Sequence, residues 1–285
     1  MPSTAAKPAK ADIGALLEEL GGRFPFPGYV TPDKGIYAAV AGAVAAHLPA
    51  GATLLDFGAG AGDKTALLQS LGYRCTAVDD LGDHWHRLPG VRDKILDFAR
   101  GEGVDFRLWD GSPARLPEGP FDMVLLMEVL EHFHDSPREL LNDLVLRLRE
   151  GGLLLITVPN AGNLRKRLDL LRGRSNMPGY AGFYWYPGRW RGHVREYVDS
   201  DLRQLSAFLG LETVELRGCD FMLRRLPRAL RPAYRAGTAL LPRFKDSWML
   251  LARKPAGWAP RRALPEDEQD RVLGRATSFR YGSED

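Results

Sequence analysis

Carboxylates and imidazoles that could carry chemistry crowd into one short stretch of the chain. Glu128, Glu131, His132 and His134 lie close together directly after an apolar run. On a helix the first three would stand at i, i+3 and i+4 and would share one face. Oxygen and imidazole ligands in that arrangement suit a divalent cation such as Mg²⁺, Mn²⁺ or Zn²⁺. A further histidine, His193, follows later in the chain.

The same residues also allow chemistry without a metal ion. His132, His134 or His193 could act as a general base, because an imidazole titrates near neutral pH. Glu128 could simply interact with the N-terminus of a helix. The spacing leaves these interpretations open.

A second chemical feature is a glycine-rich turn between a predicted strand and a predicted helix. Asp56 ends the strand, and Gly58, Gly60 and Gly62 follow at alternate positions. Glycine lets the backbone turn tightly and approach a ligand closely, and the following helix offers free N–H groups. Asp79 ends the next predicted strand, where a carboxylate can reach a ribose diol. The pattern predicts a nucleoside site.

Two details argue against a nicotinamide dinucleotide in this site. The G-x-G-x-x-G pattern that starts at Gly58 requires glycine at position 63, where the chain has Asp63. The carboxylate of Asp56 would also lie near the anionic pyrophosphate of such a ligand. A cationic nucleoside fits these residues better than NAD does.

With these motifs the chain resembles the class I S-adenosylmethionine-dependent methyltransferases over about residues 33–255. The resemblance implies an α/β, Rossmann-like fold, with a seven-stranded, mostly parallel sheet, helices on both faces and a reversed last strand. It implies that Asp56 lies near the amino-acid end of S-adenosylmethionine and that Asp79 holds the ribose hydroxyls, while Asp110 contacts the adenine amino group. The full set of expected cofactor-binding residues is Asp56, Gly58, Gly60, Gly62, Asp79, Asp80, Trp109, Asp110, Gly111, Met127 and Glu128.

The Glu-x-x-Glu-His turn also resembles two metal-assisted branches of that superfamily, the ubiquinone-biosynthesis O-methyltransferases and the small-RNA 2′-O-methyltransferases. The first of these is the closer in motif. The resemblance implies a divalent metal held by Glu128, Glu131 and His132, with His193 as the fourth ligand.

The chain divides by composition into a core and less regular segments. Residues 1–32 read as an N-terminal segment, 33–255 as the methyltransferase domain and 256–285 as a loosely ordered tail. Within the domain, 161–196 is an insertion after strand five that is rich in aromatic residues and arginine, and 221–246 is a basic insertion. The rings of the first insertion predict either a substrate lid that stacks on a sugar, quinone or base, or a miniature core. Its arginines could bind a phosphate or carboxylate.

Charge and composition restrict the class of protein and its partners. Two cysteines exclude a disulfide scaffold, and no apolar run predicts a secretory signal or a membrane span. We therefore expect a cytoplasmic protein.

Positions 161–262 carry 21 Lys and Arg against 8 Asp and Glu. The stretch 223–244 could contact an anionic membrane surface, although its prolines favour a packed helix pair with basic outer faces. Dispersed arginines without an RNA-binding signature argue against nucleic acid. The oligomeric state stays open.

These features together predict an S-adenosylmethionine-dependent O-methyltransferase. Its acceptor would be a hydroxyl of a small molecule or glycoconjugate, and a sugar hydroxyl is favoured. A divalent metal could assist the reaction. The alternatives are a quinone or phenol precursor, an RNA 2′-hydroxyl, and a cofactor-binding protein without catalysis.

Overall fold

Short apolar segments of the sequence form the strands of one central sheet. The structure, a computed structural model, describes residues 12–31, 35–221, 223, 226–264, 268 and 272. The strands are β1 (Thr53–Phe57), β2 (Arg74–Asp79), β3 (Asp105–Leu108), β4 (Phe121–Met127), β5 (Leu148–Pro159), β6 (Glu212–Cys219) and β7 (Ser247–Arg253).

The sheet has the order β3-β2-β1-β4-β5-β7-β6. Neighbouring strands from β3 to β5 run parallel, whereas β7 is antiparallel to both β5 and β6. The predicted seven-stranded sheet with a reversed last strand is therefore confirmed. The strand order reverses between β1 and β4, and open α/β sheets bind ligands at the carboxyl ends of the strands beside such a point.

Helices cover both faces of the sheet, as the alternation of apolar segments predicted. They are α1 (Ile13–Arg23), α2 (Gly35–His47), α3 (Asp63–Ser70), α4 (Val91–Gly101), α5 (Arg138–Leu146), α6 (Leu164–Leu171), α7 (Tyr180–Tyr184), α8 (Asp199–Phe208) and α9 (Arg231–Leu240). Consecutive strand residues point into opposite layers. Leu55 and Leu126 join one buried cluster, while their neighbours Leu54 and Leu125 join the other. This explains the near-continuous apolar runs of the central strands.

The segment before residue 33, predicted as a separate N-terminal segment, packs against the domain. Asp12 caps α1 by accepting a hydrogen bond from the Gly14 N–H at 2.9 Å. Leu17 and Leu20 are buried in a cluster with side chains of α3 and α4. Arg23 forms an ion pair with Glu102 after α4 at 2.7 Å. Residues 1–11 and 32–34 lie outside the described part of the chain.

The expectation of a loosely ordered tail is wrong for its first residues, 256–264. The Trp258 indole N–H donates to the carbonyl of Leu209 at 2.6 Å. The Arg261 N–H donates to Oδ1 of Asn142 at 2.7 Å, and Arg262 pairs with Asp143 at 2.6 Å. These contacts fix the chain across α5. Residues 265–267, 269–271 and 273–285 lie outside the description.

The two insertions carry short helices and expose apolar side chains. In the basic insertion, 221–246, the expected packed helix pair is wrong for the described residues. A single α-helix, α9, lies between the short 3₁₀ turns Arg228–Leu230 and Pro242–Phe244, and residues 222, 224 and 225 are outside the description. Among the described helices, none is both long and apolar enough to cross a membrane.

Candidate active site

The glycine-rich turn after β1 leaves open space at one of its three glycines. Gly58, Gly60 and Gly62 all have positive φ values, between +57° and +76°, which favour glycine. A Cβ on Gly58 would meet Cγ2 of Val129 at 2.5 Å, so this glycine allows close packing of the turn that follows β4. A Cβ on Gly60 would meet nothing within 4 Å. Gly60 therefore faces the space that a bound nucleoside can occupy.

Asp56 lies beneath this turn and is almost completely buried. Its Oδ2 accepts a 2.5 Å hydrogen bond from the hydroxyl of Thr65, and its Oδ1 finds no partner among the described residues. Burial raises the pKa of Asp56 to about 7, although the Thr65 bond opposes that shift. The side chain holds the first turn of α3 through Thr65, and direct contact with the cofactor's amino-acid end remains a prediction.

Asp79 ends β2 beside the same turn. Its Oδ2 accepts from the Gly60 N–H at 2.8 Å and its Oδ1 from the Leu81 N–H at 2.7 Å. Burial raises the pKa of Asp79, and the two backbone bonds act in the opposite direction. Each carboxylate oxygen has a second acceptor site. The carboxylate is thus fixed in orientation while it retains capacity for a diol.

Asp80 was expected beside the cofactor, but in the structure its carboxylate binds Arg191 of the first insertion. Nη1 and Nη2 of Arg191 donate to its two oxygens at 2.9 and 2.8 Å. The Nε of Arg191 donates to Asp83 at 3.0 Å. Burial alone would raise the pKa of Asp80, but the Arg191 bonds outweigh it and leave that pKa below its ordinary value. Asp80 therefore fixes the insertion at this edge.

The residues after β3 form a turn next to the end of β2. The Trp109 N–H donates to the Asp79 carbonyl at 2.9 Å, and its indole N–H donates to the Ser112 carbonyl at 3.0 Å. Asp110 accepts from the Ser112 N–H at 2.9 Å. Gly111 has a φ of +91°. Asp110 stays partly exposed in this turn, and its predicted contact with adenine stays a prediction.

Met127 and Glu128, at the end of β4, have different surroundings. The Met127 side chain is buried within the hydrophobic core, and its expected contact with the cofactor stays a prediction. Glu128 adopts a φ of +61°, which is unusual for a residue with a Cβ. Burial raises its pKa to about 7, and its Oε1 has no partner among the described residues. Backbone strain of this kind is concentrated at functional sites.

The predicted helical face of Glu128, Glu131 and His132 is wrong. A 3₁₀ turn covers Leu130–His132, and the left-handed backbone at Glu128 breaks the α-helical spacing. Instead the structure brings together Glu131, His132 and His193, whose ligand atoms lie within 4.8 Å of one another. Glu128 is outside this group and leaves the expected metal set.

Glu131 is completely buried at the centre of this three-residue cluster. Its Oε1 lies 3.9 Å from Nε2 of His132 and 3.9 Å from Nε2 of His193. Neither carboxylate oxygen finds a hydrogen-bond partner among the described residues. Burial, with the nearby Glu128 carboxylate, raises the pKa of Glu131 well above its ordinary value. A carboxylate without a partner beside two imidazoles is a donor set that fits a divalent cation.

Neighbouring acceptors place a proton on Nδ1 of both imidazoles. Nδ1 of His132 lies 2.7 Å from the Arg191 carbonyl, and Nδ1 of His193 lies 2.8 Å from Oε1 of Glu196. Both neighbours are acceptors, so each Nδ1 carries the proton. The Nε2 atom of each ring faces Glu131. Burial lowers the pKa of His193 to about 4, so its ring is neutral at physiological pH.

His134 is outside the cluster. Its exposed ring donates from Nε2 to the Trp190 carbonyl at 2.7 Å, and so binds the backbone of the first insertion. This bond engages Nε2 and leaves Nδ1 for other partners, so the role of His134 as a general base stays a prediction.

A cavity of about 510 Å³ opens beside the cluster, between the turn and the first insertion. His193 and His134 contribute to one side. Most of the remaining lining is apolar or aromatic, from Met177, Pro178, Tyr180, Phe183, Trp190 and Val194. The aromatic insertion thus forms a wall of this cavity, as a substrate lid would.

Some residues of the site carry no local signal in the sequence. Arg191 pairs with Asp80 from a distant part of the chain, and Lys166 forms a buried ion pair with Glu196 within the first insertion. Glu196, three residues after His193, could have been found from the usual pairing of a ligand histidine with a carboxylate.

The fold and the site define a class of protein. A seven-stranded sheet with reversed β7, a glycine turn after β1 and a fixed acid at the end of β2 are the features of a class I S-adenosylmethionine-dependent methyltransferase. The family model described as "Methyltransferase domain" matches residues 35–216. The chain belongs to this family.

Curated relatives are similar over part of the chain. A protein-L-isoaspartate O-methyltransferase of Chlorobaculum parvum is 26% identical over 130 residues, which are 46% of this chain and 53% of the relative. A ubiquinone biosynthesis O-methyltransferase of Caulobacter sp. (strain K31) is 33% identical over 177 residues, 59% of this chain and 61% of the relative. The chain spans little more than half the length of these relatives.

Solved structures share the fold at low identity. A methyltransferase from Methanosarcina mazei has a TM-score of 0.52 and 16% identity, covering 75% of this chain and 97% of that one. The 1,6-didemethyltoxoflavin-N1-methyltransferase of Burkholderia thailandensis has a TM-score of 0.50 and 22% identity, covering 84% of this chain and 87% of that one.

Proposed function

We propose that the protein is an O-methyltransferase that acts on a hydroxyl of an acceptor with an aromatic or apolar body, with assistance from a divalent metal ion. The observation that carries this proposal is the position of the mainly apolar cavity. It is lined by His193, one member of the cluster with Glu131 and His132.

The residues at the ends of β1 and β2 fit S-adenosylmethionine. Gly60 leaves open space for the nucleoside, and Asp79 presents a carboxylate fixed by two backbone bonds to the ribose hydroxyls. When bound, S-adenosylmethionine supplies an electrophilic methyl group on a sulfonium. Most of the catalysis would come from aligning the acceptor oxygen with that methyl group.

The three-residue cluster would activate the acceptor hydroxyl. Glu131, His132 and His193 would hold a divalent ion, which would supply Lewis-acid character and lower the pKa of a bound hydroxyl, so that its proton could pass to solvent. The neutral ring of His193, with a pKa of about 4, is better suited to binding a cation than to accepting a proton at neutral pH. Nε2 of His132 is the second imidazole nitrogen that faces Glu131.

The cavity favours a phenol or quinone precursor over a sugar as the acceptor. Methionine, proline, valine and aromatic side chains form most of its lining, which fits the body of a phenol or quinone precursor better than a sugar. Similarity to ubiquinone biosynthesis O-methyltransferases supports the same choice. A vicinal diphenol would in addition present two oxygens to one cation. The sugar hydroxyl favoured by the sequence becomes the second candidate, because the rings of Tyr180, Phe183 and Trp190 can also stack on a sugar.

The basic insertion supports a further proposal, a peripheral contact with an anionic membrane surface. Leu240 is 84% exposed at the end of α9, and Leu230 and Leu241 are exposed nearby. Arg231 and Arg235 lie on the same helix. Exposed apolar side chains next to arginine are the combination that binds anionic lipid at its interface. Such a contact would suit an acceptor with an apolar tail.

Methyl-labelled S-adenosylmethionine tests the function. The protein is incubated with diphenols that carry apolar tails and with a matched panel of sugars. We expect label on a diphenol oxygen, with a large loss on adding EDTA or on His193→Ala. His47→Ala, which alters an exposed histidine at the end of α2, serves as the control and should keep full activity. Transfer to sugars alone would favour the second candidate. Binding of S-adenosylhomocysteine without transfer to any acceptor would contradict the proposal.

A further inference from the structure

One residue of the first insertion contacts both halves of the site. The Arg191 carbonyl accepts the Nδ1–H of His132 at 2.7 Å, within the cluster. The Arg191 guanidinium donates to Asp80 at 2.8 and 2.9 Å and to Asp83 at 3.0 Å, in the loop that follows β2. Asp80 is adjacent in the chain to Asp79, the expected ribose ligand. Arg191 therefore joins the cofactor edge to an imidazole of the cluster.

The loop after β2 is shaped around the guanidinium. Gly82 has no side chain, and a Cβ there would meet Nη1 of Arg191 at 2.7 Å and its Cζ at 2.9 Å. The Gly82 N–H donates to Oδ1 of Asp80 at 2.7 Å, which orients that carboxylate. Leu81 adopts a φ of +45°, an unusual conformation for leucine. The contact is thus built into the backbone and is more than a chance meeting of surface charges.

A second set of bonds makes the arrangement rigid on the side of the cluster. The N–H groups of Val194 and Arg195 donate to the Glu131 carbonyl at 2.7 and 3.3 Å. The segment 187–196 is thereby fixed at one end to the turn that holds Glu131 and His132. Its other attachment is the Arg191 contact with Asp80 and Asp83.

We infer that Arg191 is a positioning residue that couples occupancy of the cofactor site to cation binding at Glu131, His132 and His193. This inference rests on the proposed function, because it takes that cluster as a cation site. A cofactor bound at Asp79 would hold loop 79–83 in place, and the Arg191 bonds would hold segment 187–196, with the His132 ring, in the matching position. A cation at the two histidines would hold the same segment from its other end. Each ligand thus stabilises the arrangement that the other ligand needs, so the coupling is positive.

Coupling between two binding sites is reciprocal and is measurable as a ratio of affinities. The test titrates S-adenosylhomocysteine by calorimetry, with and without saturating Co²⁺, into the wild type, Arg191→Met and Arg189→Met. The quantity compared is the ratio of the affinities for S-adenosylhomocysteine with and without Co²⁺. We expect this ratio to be at least five in the wild type and near one in Arg191→Met. Arg189→Met is the matched control, since Arg189 is exposed and lies 3.9 Å from an exposed Asp135. It should keep the wild-type ratio.

Gly82→Ala provides a second variant that retains the guanidinium. Its methyl group should displace Arg191 from Asp80 and reduce the ratio in the same direction. A wild-type ratio near one, or an unchanged ratio in both Arg191→Met and Gly82→Ala, would overturn the coupling.

Failure of the proposed cation site is distinguishable from failure of the coupling. If Co²⁺ produces no binding heat in the wild type, the cation site is refuted. Hydrogen exchange of segment 187–196 then tests the role of Arg191 without a metal. S-adenosylhomocysteine should slow that exchange in the wild type and leave it unchanged in Arg191→Met. Equal exchange with and without S-adenosylhomocysteine in the wild type would refute the role.

Discussion

Glu196 accepts a hydrogen bond from the Nδ1–H of His193 at 2.8 Å, and this bond sets the direction in which the imidazole can act. The proton on Nδ1 leaves the Nε2 lone pair directed towards Glu131. Lys166 forms a buried ion pair with Glu196 and so holds that carboxylate in place. A ligand histidine backed by a carboxylate is a common arrangement around metal ions in proteins.

Loss of the charge on Glu196 should weaken cation binding while leaving the ligands in place. Glu196→Gln removes the anionic acceptor behind His193, and the loss of such a partner typically costs about 10–100-fold in metal affinity. Calorimetric titration of Co²⁺ measures the change. Glu118→Gln, at an exposed loop position, is the control and should bind Co²⁺ like the wild type. Equal affinity in Glu196→Gln and the wild type would show that Glu196 does not support a cation ligand.

Cation binding should release a proton from Glu131. Burial and the neighbouring Glu128 raise the pKa of Glu131, so its carboxyl holds a proton more readily than an exposed glutamate. A ligand carboxylate must be ionised, whereas His193, with a pKa of about 4, is already neutral. Affinity for Co²⁺ should therefore rise with pH up to the pKa of Glu131.

Calorimetry in buffers of different ionisation enthalpy counts the protons released. We expect close to one proton per Co²⁺ in the wild type below that pKa. Glu131→Gln should bind Co²⁺ much more weakly and without that release. Binding by the wild type with no proton release at any pH would show that Glu131 is not a ligand.

The buried Asp56 should make the protein less stable as the pH rises. Its pKa is about 7 in the folded state against 3.8 as the ordinary value. Between these two values the folded state binds more protons than the unfolded state, so the free energy of unfolding falls with increasing pH and then levels off above about 7. Asp56→Asn keeps a neutral side chain and should lose part of this pH dependence.

Urea unfolding at pH 5 and pH 8 measures the effect. The wild type should lose on the order of 2–3 kcal/mol more than Asp56→Asn between these two pH values. Asp97→Asn, which alters an exposed carboxylate on α4, should behave like the wild type. An identical pH dependence in Asp56→Asn would mean that Asp56 is ionised in the folded protein.

The proposed membrane contact predicts binding to anionic vesicles. Replacing Leu240 and Leu241 together by aspartate places charge at the exposed end of α9. This variant should sediment with phosphatidylglycerol vesicles at least several-fold less than the wild type. Leu146→Asp, which alters an exposed leucine on α5, should retain binding. No binding by the wild type would refute the contact.

The fold could be predicted from the sequence because its signals are local. The apolar run Phe121–Met127 defines β4 to the residue, and the alternate glycines after Asp56 mark the turn at the cofactor edge. Glu131 and His132 are adjacent in the sequence, so their place in one site could also be predicted. The N-terminal helix carried a signal too, since Asp12 is a favourable N-cap residue before Leu17 and Leu20.

The remaining features depend on contacts between distant parts of the chain. Arg191 lies more than a hundred residues from Asp80 along the sequence, and no spacing rule connects them. Glu128 was placed wrongly because helical spacing assumes a helical backbone, whereas its left-handed φ interrupts any helix before Glu131. Trp258 is an isolated ring in a polar tail, and its anchoring role becomes visible when its indole bond to Leu209 is seen.

The central claim is that a cofactor site at Gly60 and Asp79 lies beside a cation site at Glu131, His132 and His193. Anomalous diffraction from crystals grown with S-adenosylhomocysteine and Co²⁺ tests it most directly. We predict one cobalt peak bonded to the Glu131 carboxylate and to Nε2 of both histidines, with the ribose hydroxyls on Asp79. A cofactor bound away from Asp79, or cobalt absent from the three-residue cluster at a saturating concentration, would contradict the claim.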